Sequence, residues 1–232
     1  MDLVLYILAI VAMLFSIWAQ FKVKSTFNKY SRERTVSGRT AAEVASMILS
    51  REGCDNVKIE RVRGSLTDHF DPRTNTLRLS DDVYDNNSAA AIGVAAHEAG
   101  HAIQHAVGYM PIKIRMSLVP VASFASKFTW LLIMAGILMM SVNEYGLGYY
   151  VMLFGIGLFS VVTLFELVTL PCEFNASRRA MEALHASGWY RENELVASRK
   201  VLTAAALTYV AALATSVIQL LRLISRVSNR RR

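Results

Sequence analysis

Four long runs of apolar residues place the strongest constraint on what this chain of 232 residues can fold into. They occupy residues 3–21, 119–140, 149–170 and 201–221. Each is close to the length of about 20 residues that a helix needs to cross the hydrocarbon core of a bilayer. The pattern predicts a mainly α-helical integral membrane protein. The fourth run is rich in Ala and Thr, and it either crosses the bilayer or lies along its interface.

The charges beside these runs predict an orientation. The connection at residues 143–148 contains Glu144 and no base. Because short cytoplasmic loops carry an excess of Lys and Arg, we expect this connection to be outside and the region after the first run to be cytoplasmic. A crossing fourth run would place the arginines at 230–232 outside, against the same rule, whereas an interfacial run keeps them inside. The basic residues that follow the first run are Lys22, Lys24, Lys29, Arg32 and Arg34.

The net charge of +7 favours partners with negative charge. Bases flank apolar runs and no nucleic-acid-binding motif is present, so we expect contact with anionic lipid headgroups and no nucleic acid partner. The first run has no basic residue before it and no small-x-small cleavage site after it, which favours a retained anchor over a signal peptide. Cys54 and Cys172 are too few for a disulfide framework, and we expect both as reduced thiols.

A motif of five residues, HEAGH at 97–101, indicates metal binding and catalysis. On a helix, residues four apart share a face, so the imidazoles of His97 and His101 can bind one zinc ion. Glu98 then points to the side, where it can act as a general base on a metal-bound water. The motif therefore predicts a zinc peptidase.

The residues around this motif favour the helix that it needs. Residues 89–107 contain no proline and consist largely of small or good helix-forming residues. Asn87 or Ser88 can cap the start of the helix, and Gly108 suits its end. A second helix is predicted at Ala41–Arg51, where apolar residues recur at helical spacing before Gly53.

Two strands are predicted in the same polar region, at residues 57–62 and 76–80, with a turn at residues 71–75 between them. We expect a short sheet beside the zinc helix. The sheet either holds an extended substrate by main-chain hydrogen bonds or merely covers the helix.

A catalytic zinc commonly has three protein ligands, and two histidines leave one missing. His105 comes four residues after His101, but helical rotation turns it away from the metal, and a position at the helix C-terminus suits a cationic imidazole. Glu173 is a better candidate, because it follows the third apolar run on the cytoplasmic side. The alternative for Glu173 is a glutamate stabilised by the dipole at the start of a helix after Pro171. We expect Glu166 to extend toward the interface and Cys172 to be buried, with approach of Cys172 to the metal as the alternative.

Three segments of the chain resemble the YugP-type family of membrane zinc metallopeptidases. They are HEAGHAIQH at residues 97–105, EFNASRRA at 173–180, which includes Arg178, and DHFDPR at 68–73. The resemblance covers most of the chain, from about residue 38 to the fourth run. It implies a bacterial plasma-membrane protein with a gluzincin-like site, in which His97, His101 and Glu173 hold zinc and Glu98 activates water.

The more distant HtpX-type membrane proteases have the same order of anchor, strand, HExxH helix, pair of membrane-spanning helices and glutamate helix. They have an aspartate four residues after the ligand glutamate, where this chain has Ser177. Asn175 and Asp68 are the alternative groups for orienting the histidines. His69 could contact zinc, stabilise the tetrahedral intermediate or satisfy a turn. Tyr84 and Tyr209 are possible oxyanion donors, with ordinary packing as the alternative for each.

The prediction is therefore a mainly α integral membrane protein with transmembrane helices and a small cytoplasmic α+β zincin-like protease domain with a short sheet. We expect an anchor at 1–21, a protease part at 22–115, a transmembrane hairpin at 116–170, the glutamate helix at 171–200 and the fourth helix with a basic tail at 201–232. The predicted function is hydrolysis of peptide bonds in protein or peptide substrates. A noncatalytic zinc-containing membrane scaffold is the alternative, and a site-2-type intramembrane protease is a weaker one.

Overall fold

The computed structural model describes residues 2–142 and 146–229. This part of the chain is mainly helical and contains one small sheet. It divides into two compact units, which we call the membrane unit, from the described residues of 1–18, 114–170 and 209–232, and the site unit, residues 19–113 and 171–208. The helices and strands are α1 (Asp2–Tyr30), α2 (Ala41–Arg51), β1 (Lys58–Val62), β2 (His69–Asp71), β3 (Thr76–Ser80), α3 (Ala89–Ala106), α4 (Met110–Val142), α5 (Leu147–Ser187) and α6 (Glu192–Asn229).

Four helices, α1, α4, α5 and α6, are long and apolar enough to cross a membrane. The expectation from the apolar runs is confirmed to that extent, and the fourth run lies within the last of these helices. The predicted orientation depends partly on Glu144 and on the arginines at 230–232, which lie outside the described residues. The orientation therefore stays a prediction.

Within the membrane unit, α4 and α5 pack with their backbones close together. A β-carbon added to Gly136 would lie 2.6 Å from the backbone nitrogen of Met152. Gly148 and Gly155 make similarly close approaches to residues of α4. Small residues at such positions allow membrane helices to associate through backbone packing.

Glu166 lies on α5 and is half-buried. Its Oε2 atom is buried, and no hydrogen-bond partner for this atom is found among the described residues. The expectation that its side chain extends toward the membrane interface stays a prediction.

The site unit is built around α3. α2 packs on α3 through its apolar face, which includes Val44 and Ile48, and both helices contribute to one core. A capping box fixes the start of α2, because Thr40 accepts a hydrogen bond from the backbone of Glu43 and the Glu43 carboxylate accepts one from the backbone of Thr40. The predicted bounds of this helix are confirmed.

The sheet has the order β1-β3-β2. β1 runs parallel to β3, with Lys58 opposite Thr76, and β2 runs antiparallel to β3, with His69 opposite Arg78. The two predicted strands are confirmed within one residue. Strand β2 was not predicted, and it places His69 in a strand at one edge of the sheet.

α3 has the predicted bounds to within one residue, with Ser88 as its N-cap. The Ser88 hydroxyl accepts a hydrogen bond from the backbone nitrogen of Ala91, and Gly108 follows the helix with a φ of 65°. A left-handed conformation at this point is easily adopted only by glycine, which explains the stop.

α5 does not begin anew at Pro171. The helix is continuous from Leu147 to Ser187 with the proline inside it. Glu173 is therefore an interior residue of a long helix, and its alternative role as a glutamate at a helix start is wrong. Proline is tolerated inside such a helix when the backbone groups that it frees are satisfied by their surroundings.

Candidate metal centre

His97, His101 and Glu173 meet in the site unit. Oε2 of Glu173 lies 3.2 Å from Nε2 of His97 and 3.5 Å from Nε2 of His101. One ligand atom from each residue falls within 4.8 Å of the others, a spacing that could hold a metal ion. Two of the residues come from one face of α3 and the third comes from α5. The structure thus brings together the three residues expected to be ligands.

The surroundings of these residues suit a bound cation. The side chain of Glu173 is only 2% exposed and that of His101 only 9%. A buried carboxylate requires a positive partner, and two imidazole nitrogens with one carboxylate oxygen form a common ligand set of catalytic zinc. The donor set therefore fits zinc.

Glu98 lies beside this cluster on α3 and is partly buried. Burial raises its pKa to about 7, and the negative charges of Glu173 and Asp68 add to that rise. His97 and His69 act in the opposite direction and lower the pKa. A carboxyl group that titrates near neutral pH can both accept and return a proton.

Each histidine of the cluster has its second ring nitrogen next to a polar side chain. Nδ1 of His97 lies 3.1 Å from Oγ of Ser177, and Nδ1 of His101 lies 3.0 Å from Oε1 of Gln104. Such outer contacts fix the tautomer and the orientation of metal-ligating imidazoles. Ser177 thus makes a contact with one of the three candidate ligands.

Neither of the two alternative orienting groups contacts a histidine directly, and Asn175 is connected to His101 through Gln104. Asn175 accepts a hydrogen bond from Gln104 at 2.9 Å, and a second from Arg179. Asp68 accepts hydrogen bonds from the backbone and the hydroxyl of Ser80, at 2.7 Å and at about 3 Å. Burial raises the pKa of Asp68, although these hydrogen bonds act against the rise.

His69 lies on β2 and is exposed, with Nδ1 2.8 Å from the carbonyl oxygen of Thr67. It is not part of the three-residue cluster, although its charge affects the pKa of Glu98. A role for His69 in catalysis stays a prediction.

The other candidates are not members of the three-residue cluster. Arg178 is exposed and lies 3.9 Å from Glu182 on the next turn of α5. Tyr209 belongs to the membrane unit, and Tyr84 packs against the core beneath the guanidinium of Arg61. His105 is exposed and lies in the last turn of α3, near the helix C-terminus as expected. Both cysteines are buried, and neither forms a disulfide.

Gln104 was not among the predicted site residues. Glutamine neither ligates zinc readily nor transfers protons, so its residue type does not indicate a role in a metal site. The one indication in the sequence is its position three residues after His101, on the same helical face.

Gly100, inside the motif, explains how the two ligand-bearing helices approach each other. A β-carbon at this position would lie 2.6 Å from the backbone oxygen of Ala176. That carbonyl belongs to α5, one turn after Glu173. The missing side chain therefore lets α3 and α5 come close enough for their ligands to converge.

A buried site with two imidazoles and a carboxylate is the kind of centre that zinc peptidases possess. The chain belongs to the family described as "putative neutral zinc metallopeptidase", whose profile matches residues 5–228. A relative from Bacillus subtilis (strain 168), described as "Putative membrane protease YugP", is 49% identical over 217 residues. The match covers 94% of this chain and 93% of that protein.

No solved structure matches the chain. The expected family and the expected zinc cofactor are confirmed.

Proposed function

We propose that this protein is a membrane-bound gluzincin-like metalloendopeptidase that hydrolyses peptide bonds with Glu98 as the general base. The observation that carries the proposal is the convergence of His97, His101 and Glu173 beside a carboxyl group whose pKa lies at about 7. Nε2 of each histidine and Oε2 of Glu173 would hold the ion. When bound, zinc lowers the pKa of a water ligand and polarises a carbonyl oxygen.

The protein's own residues then handle the proton. Glu98 takes it from the attacking water and returns it to the leaving amine. Glu98 directly follows the ligand His97 on α3, which is the place of the general base in an HExxH helix. Ser177 holds the His97 ring through Nδ1 and leaves Nε2 directed at Glu173.

The substrate would be a polypeptide in an extended conformation. β2 is the outer strand of the sheet and pairs with β3 on one side. Main-chain groups along the other side of β2 could pair with a substrate strand, a mode of binding that requires no particular side chain. His69 on this strand and Asp68 before it both influence the charge state of Glu98, which connects this edge electrostatically with the proposed base.

The bases that follow the first apolar run support a location of the site unit on the cytoplasmic side of a bacterial plasma membrane. Three of those bases, Lys22, Lys24 and Lys29, lie on α1 in residues assigned to the site unit. The proposed enzyme is thus a multi-pass protein that acts on substrates at the inner surface of the membrane.

Two alternatives have less support. A closed structural zinc site has four protein ligands, whereas the cluster formed by the described residues has three. A site-2-type protease carries its motif inside a membrane-spanning helix, and α3 is not among the four candidate helices found in the described residues.

The substitution Glu98→Gln in full-length protein in lipid vesicles tests the proposal. We expect zinc content to be unchanged and cleavage of casein, or of the protein's own chain, to fall by about 10²- to 10⁴-fold, the usual contribution of general acid–base catalysis. Glu182→Gln removes an exposed carboxylate on α5 and serves as the matched control. Cleavage by the Glu98→Gln variant at the wild-type rate would show that the base is wrongly assigned.

A further inference from the structure

We infer that Gln104 is a positioning residue that orients His101, while its two hydrogen bonds to α5 stabilise the packing of α5 on α3. This inference rests on the proposed zinc peptidase function. Gln104 is completely buried, in a core that is otherwise largely apolar. A buried amide side chain is unfavourable unless its hydrogen-bonding groups are satisfied, and Gln104 satisfies them with three partners around the metal centre.

The three partners determine how the amide is oriented. Nε2 of Gln104 lies 2.8 Å from the carbonyl oxygen of Cys172 and 2.9 Å from Oδ1 of Asn175. The Cys172 carbonyl can only accept, and Oδ1 of Asn175 already accepts a hydrogen bond from Arg179. The NH₂ group of Gln104 must therefore face these two oxygens, which leaves its carbonyl oxygen facing His101.

This orientation fixes the tautomer of His101. Oε1 of Gln104 lies 3.0 Å from Nδ1 of His101 and can only accept a hydrogen bond. Nδ1 therefore carries the proton, and the lone pair of the neutral ring lies on Nε2. Nε2 is the nitrogen that lies 3.5 Å from Oε2 of Glu173, so the lone pair faces the third ligand. In this way the amide prepares His101 to bind a cation.

The same side chain reaches the helix that carries the third ligand. Cys172 directly precedes Glu173, and Asn175 follows it by two residues, so the contacts of Gln104 bracket the carboxylate on α5. Gln104 therefore links one ligand from α3 with one ligand from α5. A shift of either helix would break at least one of these hydrogen bonds.

A purely structural role for Gln104 would make a different prediction. In that case any loss of its hydrogen bonds would weaken the packing of α3 against α5, and zinc affinity would follow stability. A positioning role separates the two properties, because the acceptor that faces His101 and the donors that face α5 can be removed independently.

Two substitutions make that separation. Gln104→Met keeps the length of the side chain and removes both functions of the amide. Gln104→Glu keeps an acceptor for Nδ1 of His101, as in the carboxylate–histidine–zinc arrangement, and removes the two donations to α5. Ile103→Val is the matched control, since Ile103 is the buried neighbour of Gln104 on α3 and belongs to the apolar core.

The measurement is zinc affinity of the full chain in detergent, by competition with a chromophoric chelator, together with the absorption spectrum of the Co²⁺-substituted protein and the unfolding temperature of the metal-free protein. We expect Gln104→Met to lose about 10- to 100-fold in zinc affinity and to show a changed Co²⁺ spectrum, as is usual when an outer contact of a metal ligand is removed. Gln104→Glu should recover most of the affinity, while both variants unfold at a lower temperature than the wild type. Ile103→Val should leave affinity and spectrum unchanged.

The inference is overturned if Gln104→Met binds zinc as tightly as the wild type, or if Gln104→Glu is as weak as Gln104→Met. Should Gln104→Met fail to fold, Gln104→Leu takes its place with the same expectation, since it also lacks a group that could accept a hydrogen bond from His101. His97→Ala separates this inference from the proposed function. If His97→Ala retains zinc, the metal centre itself is wrong, whereas loss of zinc from His97→Ala but not from Gln104→Met contradicts only the role of Gln104.

Discussion

Ser177 and His97 are 80 residues apart in the chain, and their side chains lie 3.1 Å apart, Oγ to Nδ1. Ser177 follows Glu173 by four residues on α5, so a single helical face supplies both a candidate ligand and a contact that orients another. On that face a hydroxyl contacts the ring of His97.

The substitution Ser177→Ala should lower zinc affinity by about tenfold, because the His97 ring loses the partner that fixes its orientation. Competition with a chelator measures the change. Ser187→Ala is the control, since the Ser187 hydroxyl contacts backbone groups, donating to the carbonyl oxygen of Leu184 and accepting from the backbone nitrogen of Trp189. Equal affinities of the Ser177→Ala variant and the wild type would show that the contact does not influence the metal.

The substitution Gly100→Ala should force α3 and α5 apart. The added carbon would meet the backbone oxygen of Ala176 at 2.6 Å, and a backbone atom inside a helix cannot move away easily. Overpacking of this kind costs about 1–3 kcal/mol of unfolding free energy. Chemical denaturation and zinc binding measure the effect, and both should decrease.

Gly157→Ala is the matched control for that change, because a β-carbon on Gly157 meets nothing within 4 Å. Alanine in place of glycine inside a helix should be neutral or stabilising by up to about 1 kcal/mol. If Gly100→Ala were as stable as Gly157→Ala, the close approach of the two ligand-bearing helices would not be essential.

Asp68 should make stability depend on pH. Burial raises its pKa above the ordinary value of 3.8, so the folded protein binds this proton more tightly than the unfolded chain does. The contribution of Asp68 to the unfolding free energy is therefore greatest below pH 3.8 and declines as the pH rises through the folded-state pKa.

Asp68→Asn tests this dependence, since asparagine cannot ionise but still accepts a hydrogen bond from Ser80. The unfolding free energy of the metal-free wild type minus that of the variant should fall as the pH rises from about 3.8, and then level off. A difference that stayed constant or increased over this range would contradict the cause given for the raised pKa.

Removal of zinc should destabilise the site unit. The ion binds the folded site more tightly than the unfolded chain, and a free concentration 100 times the Kd stabilises the fold by about 2.7 kcal/mol. Chelation should therefore lower the unfolding temperature, and added Zn²⁺ should restore it while Mg²⁺ should not. The His97→Ala variant should not respond to either treatment, and an equal response would place the stabilising ion elsewhere.

Local chemistry made much of the site unit predictable. Ser88, Gly108 and the proline-free stretch between them define α3 by capping and propensity alone, and HEAGH on that helix leads directly to His97 and His101. Glu173 required the family resemblance, because nothing in its own surroundings distinguishes a ligand from a glutamate at a helix start.

Other features depend on contacts that no local pattern encodes. Proline commonly ends a helix, but α5 continues through Pro171. A sequence pattern does not show whether the surroundings satisfy the backbone groups that the proline frees. β2 has three residues, too few for an alternating pattern, and it exists because β3 pairs with it. Gln104 becomes significant only when α3 and α5 are side by side.

The distance along the chain between the ligands has a consequence for biogenesis. His97 and Glu173 are 76 residues apart, and α4 together with more than half of α5 lies between them. A ribosome delivers the two histidines long before the carboxylate, and the intervening hydrophobic segments must be inserted by the translocation machinery first. Until Glu173 has been made, the nascent polypeptide offers only two of the three candidate ligands, so the complete metal centre can form only late in synthesis.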